Sequence, residues 1–254
     1  MSSTPLGMPA LPPRTAQPVW KQAWDTALYG AGGYLRSHPV GFAERNRDAL
    51  LSFLVPRIDG HRDVVLFGAA GRLATDLAGR FTDTLFRPDL PKDFDGMVIS
   101  VDWLAHVPTH VVQADDDGRP RVVHVDPVTG KEQLGLVLDD AGVPPTLRNW
   151  QEQNWPLPEP FQRAEIGTTR EAAWRDVTSR LGKGVALAID PGHTHDVRPT
   201  EGSLRCPDGQ PPIPDTTRDL IADVALDALA AAVGGRVFDE DGCTGVLTGA
   251  DDLI

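Results

Sequence analysis

Val64-Val65-Leu66-Phe67-Gly68-Ala69-Ala70-Gly71-Arg72-Leu73-Ala74-Thr75 runs from an apolar strand through a turn of small residues into the start of a helix. In doubly wound α/β proteins this junction is where a nucleotide-like cofactor sits. Glycine serves such a turn in two ways: the chain must turn sharply, and the backbone must approach the ligand without a Cβ in the way. Gly68 and Gly71 can serve, Ala69 and Ala70 are the smallest substitutes, and Arg72 is large where a third small residue would help. The same pattern also suits a plain strand-to-helix turn packed tightly for structural reasons, because a Gly-rich turn takes its meaning from its context. A dinucleotide site adds an acidic residue about 20 positions on, at the end of the next strand. Asp89 is near that distance, but Arg87-Pro88-Asp89-Leu90-Pro91 does not read as a strand end, which disfavours a nicotinamide-dependent dehydrogenase.

Outward from this junction, apolar spacing predicts helices over 19–29 (Trp20, Trp24 and Leu28 on one face), 42–58, 73–81, 169–181 and 219–233, the last closed by Gly234-Gly235. Buried strands are expected at 64–67, 97–101 and 185–189. Residues 110–114 and 121–125 flank Asp115-Asp116-Asp117-Gly118 and read as a hairpin. Strands alternating with helices predict an α/β fold, a mostly parallel sheet with helices on both faces, plus one antiparallel hairpin. The expected organisation is a disordered Pro-rich segment over 1–18, one α/β domain over 19–238, and a loose acidic tail over 239–254.

The 254 residues carry a net charge of −12, which repels phosphate backbones and argues against general nucleic-acid binding. No apolar run approaches the ~20 residues of a membrane-spanning helix, and the N-terminus lacks the charged start and apolar block of a secretory signal. Two cysteines without a Cys-x-x-Cys spacing fit a reduced cytoplasmic compartment and no cysteine zinc site.

Acidic residues at strand ends are the candidates for chemistry, since open α/β sheets bind ligands outside the carboxyl ends of their strands. Asp102 follows the strand at 97–101 and reads either as a cofactor contact or as a helix cap before Trp103. Asp190, with His193, follows the strand at 185–189. The pair reads either as a substrate-side acid or base, or as a turn in which Asp190 bonds the backbone of Gly192 or His193. His193-Thr194-His195-Asp196 lacks an identifiable third strong ligand, so no metal site is expected. Asp115-Asp116-Asp117-Gly118 lacks the remaining ligands of a calcium loop and reads as a solvated turn.

Six segments in order resemble the MidA-like family of S-adenosylmethionine (SAM)-dependent methyltransferases, in particular its actinobacterial branch, which is related to the mitochondrial complex I assembly methyltransferase. They are 27–34 (Ala-Leu-Tyr-Gly-Ala-Gly-Gly-Tyr), the strand and loop at 64–72, 99–108 (Ile-Ser-Val-Asp-Trp-Leu-Ala-His-Val-Pro, similar to A-N-E-x-x-D-x-x-P), Arg163-Ala164-Glu165 with its following helix, 187–194 (similar to a D-Y-G-H segment) and 219–224 (similar to D-L-T-A-H-V). The similarity spans roughly residues 20 to 235. It implies the class I methyltransferase fold, SAM as cofactor and methyl transfer to a protein side chain, arginine in the family. By position it implies cofactor contacts at Gly68, Ala70, Gly71 and Asp102, and catalytic roles for Asp190 and His193.

The chain also departs from the family pattern. Leu66 stands where the E-x-G-x-G-x-G loop has its acid, and the G-D-F/H-F-x-T-S segment is missing between 38 and 44. The second strand, with the acidic end that would hold ribose hydroxyls, is not legible between 82 and 91. Pro191 replaces the tyrosine of D-Y-G-H, and Asp223 replaces the histidine of A-H-V. These departures imply the alternative of an inactive pseudo-methyltransferase that binds a protein partner, as an assembly factor or as a homo- or hetero-oligomer with an intact paralogue.

Overall fold

Both faces of the central sheet are covered, so its three inner parallel strands read as apolar runs. In the computed structural model, which describes residues 17–38, 46–68, 72–87 and 89–249, this sheet has six strands in the order β11-β12-β8-β3-β1-β2. These are β1 (Asp63–Phe67), β2 (Leu85–Arg87), β3 (Met97–Val101), β8 (Val185–Ile189), β11 (Arg236–Glu240) and β12 (Cys243–Gly249). β1, β2, β3 and β8 are parallel neighbours, and β12 runs antiparallel between β8 and β11.

Side chains alternate across the strands and sort into two cores. Met97, Ile99 and Val101 join Val64, Leu187 and Ile189 against helices α3 (Arg47–Ile58) and α4 (Arg72–Arg80). Val98, Val65, Ala186 and Ala188 face the other way, onto α6 (Thr168–Thr178) and α7 (Leu226–Val233), where Trp174 and Leu229 are buried. The mostly parallel sheet with helices on both faces is therefore present as expected.

The expected hairpin is the middle of a second sheet, antiparallel, with the order β6-β5-β4-β7. Its strands are β4 (His110–Ala114), β5 (Pro120–Val125), β6 (Glu132–Val137) and β7 (Arg163–Ile166). Helix α1 (Trp20–Tyr29) packs Trp20, Trp24 and Leu28 on one face of it. Helix α5 (Pro145–Asn154) packs Leu147 and Trp150 on the other. A short helix α2 (Tyr34–Ser37) follows α1, and β9 (Gly192–His193) pairs with β10 (Val224–Ala225).

Three expectations are corrected, and a fourth reaches beyond the described residues. Residues 239–249 are not a loose tail: they complete β11 and form β12, joined at Asp241 and Gly242 with φ of 53° and 76°. Asp-Gly with both residues left-handed is a two-residue hairpin turn, so the acids mark a corner of the sheet rather than a solvated end. A second strand does exist, as the three residues of β2 beside β1. The helix expected over 219–233 begins only at Leu226, because the preceding carbonyls are spent elsewhere: those of Ala222 and Asp223 accept hydrogen bonds from Arg170. The helix expected from 42 is described only from Arg47; residues 42–45 lie outside the described set, as do 1–16 of the N-terminal segment and 250–254 of the tail.

Candidate functional site at the carboxyl edge of the sheet

β1, β3 and β8 end at one edge, and Gly68, Asp102 and Asp190 follow them directly. Gly68 has a φ of +71°, and a Cβ there would stand 2.3 Å from the Val101 carbonyl oxygen and 2.9 Å from Trp103 Cβ. The glycine is thus needed for the turn and for the close approach of β3, with Phe67 and Trp103 stacked at 5.7 Å beside it. Ala70 and Gly71, the other expected loop contacts, lie outside the described residues.

Asp102 does not cap a helix. It takes a left-handed φ of +55°, which Asp tolerates better than most residues. Its N–H donates to the Ile189 carbonyl at 2.9 Å, tying β3 to β8. Its own carbonyl accepts from His106 Nδ1 at 2.6 Å, and its carboxylate lies 3.9 Å from the same ring. His106 Nε2 is 2.9 Å from Asp219 Oδ1. Both ring nitrogens therefore face oxygens, as an imidazolium requires. Burial opposes that charge, but the Asp219 hydrogen bond and the Asp102 carboxylate prevail and push the His106 pKa up to about 9.

Asp190 reaches across the edge instead of bonding its own turn. Its Oδ1 accepts the Ala105 N–H at 2.8 Å, at the start of the 3-10 turn Leu104–His106. Its Oδ2 is buried and has no hydrogen-bond partner. Burial pushes this carboxyl up to about 8, against the lowering effect of the Ala105 N–H.

Near Asp190 lies Arg170 of α6, which is not among the residues expected from the sequence. Its guanidinium donates to the carbonyls of Asp223 (2.8 Å), Ala222 (3.0 Å), Ala105 (3.2 Å) and Val107 (3.4 Å). Burial lowers its pKa to about 10, which still leaves it cationic at neutral pH. A charge among four carbonyls reads in sequence as an ordinary helix arginine. Only Trp174, four residues on, hints that this face of the helix is inside.

His193 lies on β9, its ring edge-on to Trp155 with centroids 4.6 Å apart. Burial and the Arg198 charge lower its pKa to about 4. The neighbouring His195 and Asp196 are exposed, and no group of three metal-ligating side chains occurs among the described residues. Asp115 accepts from Asp117 N–H, Arg119 and Arg121, which closes the hairpin turn on itself.

One residue set aside on sequence grounds sits where a ligand contact is wanted. Asp89 follows the end of β2 by two residues and is exposed. The strand that precedes it was illegible because it has only three residues, one of them the exposed Leu85.

The frame is thus a parallel sheet with a left-handed glycine after β1, an acid after β2, and an antiparallel strand inserted near the far edge. Residues 65–236 match the model of the family described as "Putative S-adenosyl-L-methionine-dependent methyltransferase". The chain belongs to this family. Its named cofactor is SAM, in agreement with the expectation from the sequence. No curated protein matches the chain.

Among solved structures, an uncharacterized COG1565 superfamily protein from Burkholderia thailandensis superposes with a TM-score of 0.65 at 21% identity, over 87% of this chain and 72% of that one. A second COG1565 member from the same organism, described as a "likely methyl transferase" and bound to S-adenosylhomocysteine, gives 0.59 at 19% identity, over 87% and 73%. These likenesses establish the fold. No helix among the described residues is long and apolar enough to cross a membrane.

Tested against SAM, the edge divides. The β1–β2 side fits, with a left-handed glycine and an exposed carboxylate. The carboxylates after β3 and β8 do not fit as cofactor contacts, being 6% and 1% exposed and directed at His106 and Ala105.

Proposed function

We propose that this chain is a SAM-dependent methyltransferase of the MidA-like, actinobacterial type, acting on an arginine side chain of a partner protein. The observation that carries the reading is Asp89 beyond β2, beside the Gly68 turn. In other nucleotide-binding α/β sheets an acid at the end of the second strand accepts a hydrogen bond from the ribose, which supports the same role for Asp89. When bound, the cofactor supplies an electrophilic methyl group. Gly68, with Ala70 and Gly71 as the further proposed loop contacts, lets the backbone come close to it.

Asp190 is the proposed acid or base on the acceptor side. Its Oδ2 has no partner and its pKa of about 8 is near neutral, where proton transfer is most effective. Asp102 is reassigned from cofactor contact to holding His106 and the turn that follows β3.

A second reading rests on a specific observation. Asp102 is engaged with His106, and Leu66 stands where the family loop has its acid. In that reading the chain is an inactive family member that binds another protein, such as an intact paralogue. The two buried, unpaired cysteines, Cys206 and Cys243, suit a cytoplasmic setting for either.

Calorimetric titration of the purified protein with SAM and with S-adenosylhomocysteine separates the two. Micromolar binding that weakens in Asp89→Asn supports the enzyme. No heat, together with a melting temperature unmoved by millimolar ligand, rejects it in favour of the partner protein.

A further inference from the structure

His193 meets Arg198 just beyond the end of β8. Arg198 Nη1 lies 2.8 Å from His193 Nδ1 and 3.1 Å from its carbonyl oxygen. A guanidinium has five N–H donors and no acceptor. Nδ1 must therefore be the accepting, unprotonated nitrogen, and the ring's single proton is on Nε2. The guanidinium is itself pinned: Nη2 donates to Asp227 Oδ1 at 2.7 Å, Nε donates to the Asn154 carbonyl at 3.1 Å, and the group lies 5.6 Å over the Trp155 ring. Its side chain is only 9% exposed. His193 is buried to the same degree, at 7% exposed, and its Nε2 has no hydrogen-bond partner.

We infer that Arg198 locks His193 in the Nε2–H tautomer, so that His193 does not serve as a general base. The inference deepens the methyltransferase reading and rests on it. A base at Nε2 would need that nitrogen bare, which the lock forbids, and Nδ1 is already occupied by the Arg198 donor. Arg198 is thus a positioning residue, itself held by Asp227, Asn154 and Trp155.

The test is imidazole nitrogen NMR on the 15N-labelled full chain. We expect His193 to stay neutral with Nδ1 bare between pH 5 and 8 in the wild type and in Arg198→Lys, which keeps a donor at that place. Arg198→Met should admit the other tautomer and raise the pKa towards 6.5. A protonated Nδ1 in the wild type, or an Arg198→Met spectrum identical to that of the wild type, overturns the lock. Calorimetry with S-adenosylhomocysteine reports separately on the cofactor reading, so failure of one is distinguishable from failure of the other.

Discussion

At the ends of β1 and β2 the chain offers a left-handed glycine and an exposed Asp89, whereas at the ends of β3 and β8 it offers two buried aspartates. The residue types are those that a ligand site uses in both halves, yet only one half is open. In the β3–β8 half Asp102 and Asp219 flank His106, Asp190 accepts the Ala105 N–H, and Arg170 donates to the carbonyls of two connecting segments. An acid at a strand end is therefore ambiguous in sequence. What decides its role is whether the following turn needs a counter-charge or a cap more than a ligand does.

The sharpest way to break this contrast is Arg170→Met. It strips donors from the carbonyls of Ala105, Val107, Ala222 and Asp223 and leaves the neighbouring acids uncompensated. Removing one partner of a buried charged network costs roughly 3–5 kcal/mol, and a loss of that size lowers the melting temperature of a domain this large by about 10 °C. A variant that melts like the wild type would mean that this half of the edge is not the structural half.

Gly68→Ala comes next. Its Cβ would meet the Val101 carbonyl at 2.3 Å in a left-handed turn, and the backbone term alone costs on the order of 1–2 kcal/mol. We expect lower stability by thermal melting as well as weaker S-adenosylhomocysteine binding. Weaker binding at unchanged stability would show that the glycine serves the ligand and not β3.

Asp89→Asn should do the reverse of Arg170→Met. The melting temperature stays put, and the S-adenosylhomocysteine dissociation constant rises about tenfold, as for one lost charge-assisted hydrogen bond. Calorimetry on the purified variant measures both sides of that contrast.

The pH profile tests the same half without a substitution. Asp190 is raised from 3.8 to about 8, so the folded state holds its proton more tightly, and that stability is full below the ordinary carboxylate range and lost as pH rises through 8. His106, raised from 6.5 to about 9, acts in the same direction: its contribution is full below pH 6.5 and lost through pH 9. His193 and His110, lowered to about 4, act on the acid side, where stability falls as pH drops from 6.5 through 4. Melting temperatures should therefore decline between pH 6 and 9, and the decline should be shallower in Asp190→Asn, whose side-chain oxygen can still accept the Ala105 N–H. A flat alkaline limb would remove Asp190 from the structural half.

Strands whose two faces are both buried were legible, because an apolar run such as 97–101 or 185–189 is too short for a buried helix and too apolar for a solvated loop. The second sheet was half legible. β4 and β5 alternate and flank a turn, but β6 and β7 carry Glu132, Arg163 and Glu165, whose charges are spent inside the protein. Glu132 and Arg163 pair bidentately at 2.6 and 2.7 Å, and Glu165 accepts from Ser203 and Leu204. Sequence periodicity counts such residues as solvent-facing.

The site suffered from the same blindness. Asp102 and Asp190 were found because they end strands. Arg170, Arg198 and His106 were not, because their partners include backbone carbonyls and side chains far along the chain. Asp89 was dismissed for want of a strand that turned out to be three residues long.

β12 also sets an order of events in the making of this protein. It occupies an inner lane of the sheet, between β11 and β8, although it is formed by residues 243–249. A growing chain can assemble β1, β2, β3 and β8 on the ribosome, but the row of hydrogen-bonding groups on the outer side of β8 stays bare until residue 249 has emerged. An uncovered strand edge is an invitation to pair with another nascent chain. Folding thus waits on a non-local pairing, the kind that closes slowly, and a ribosome that stalls before this segment would leave the sheet open beside β8.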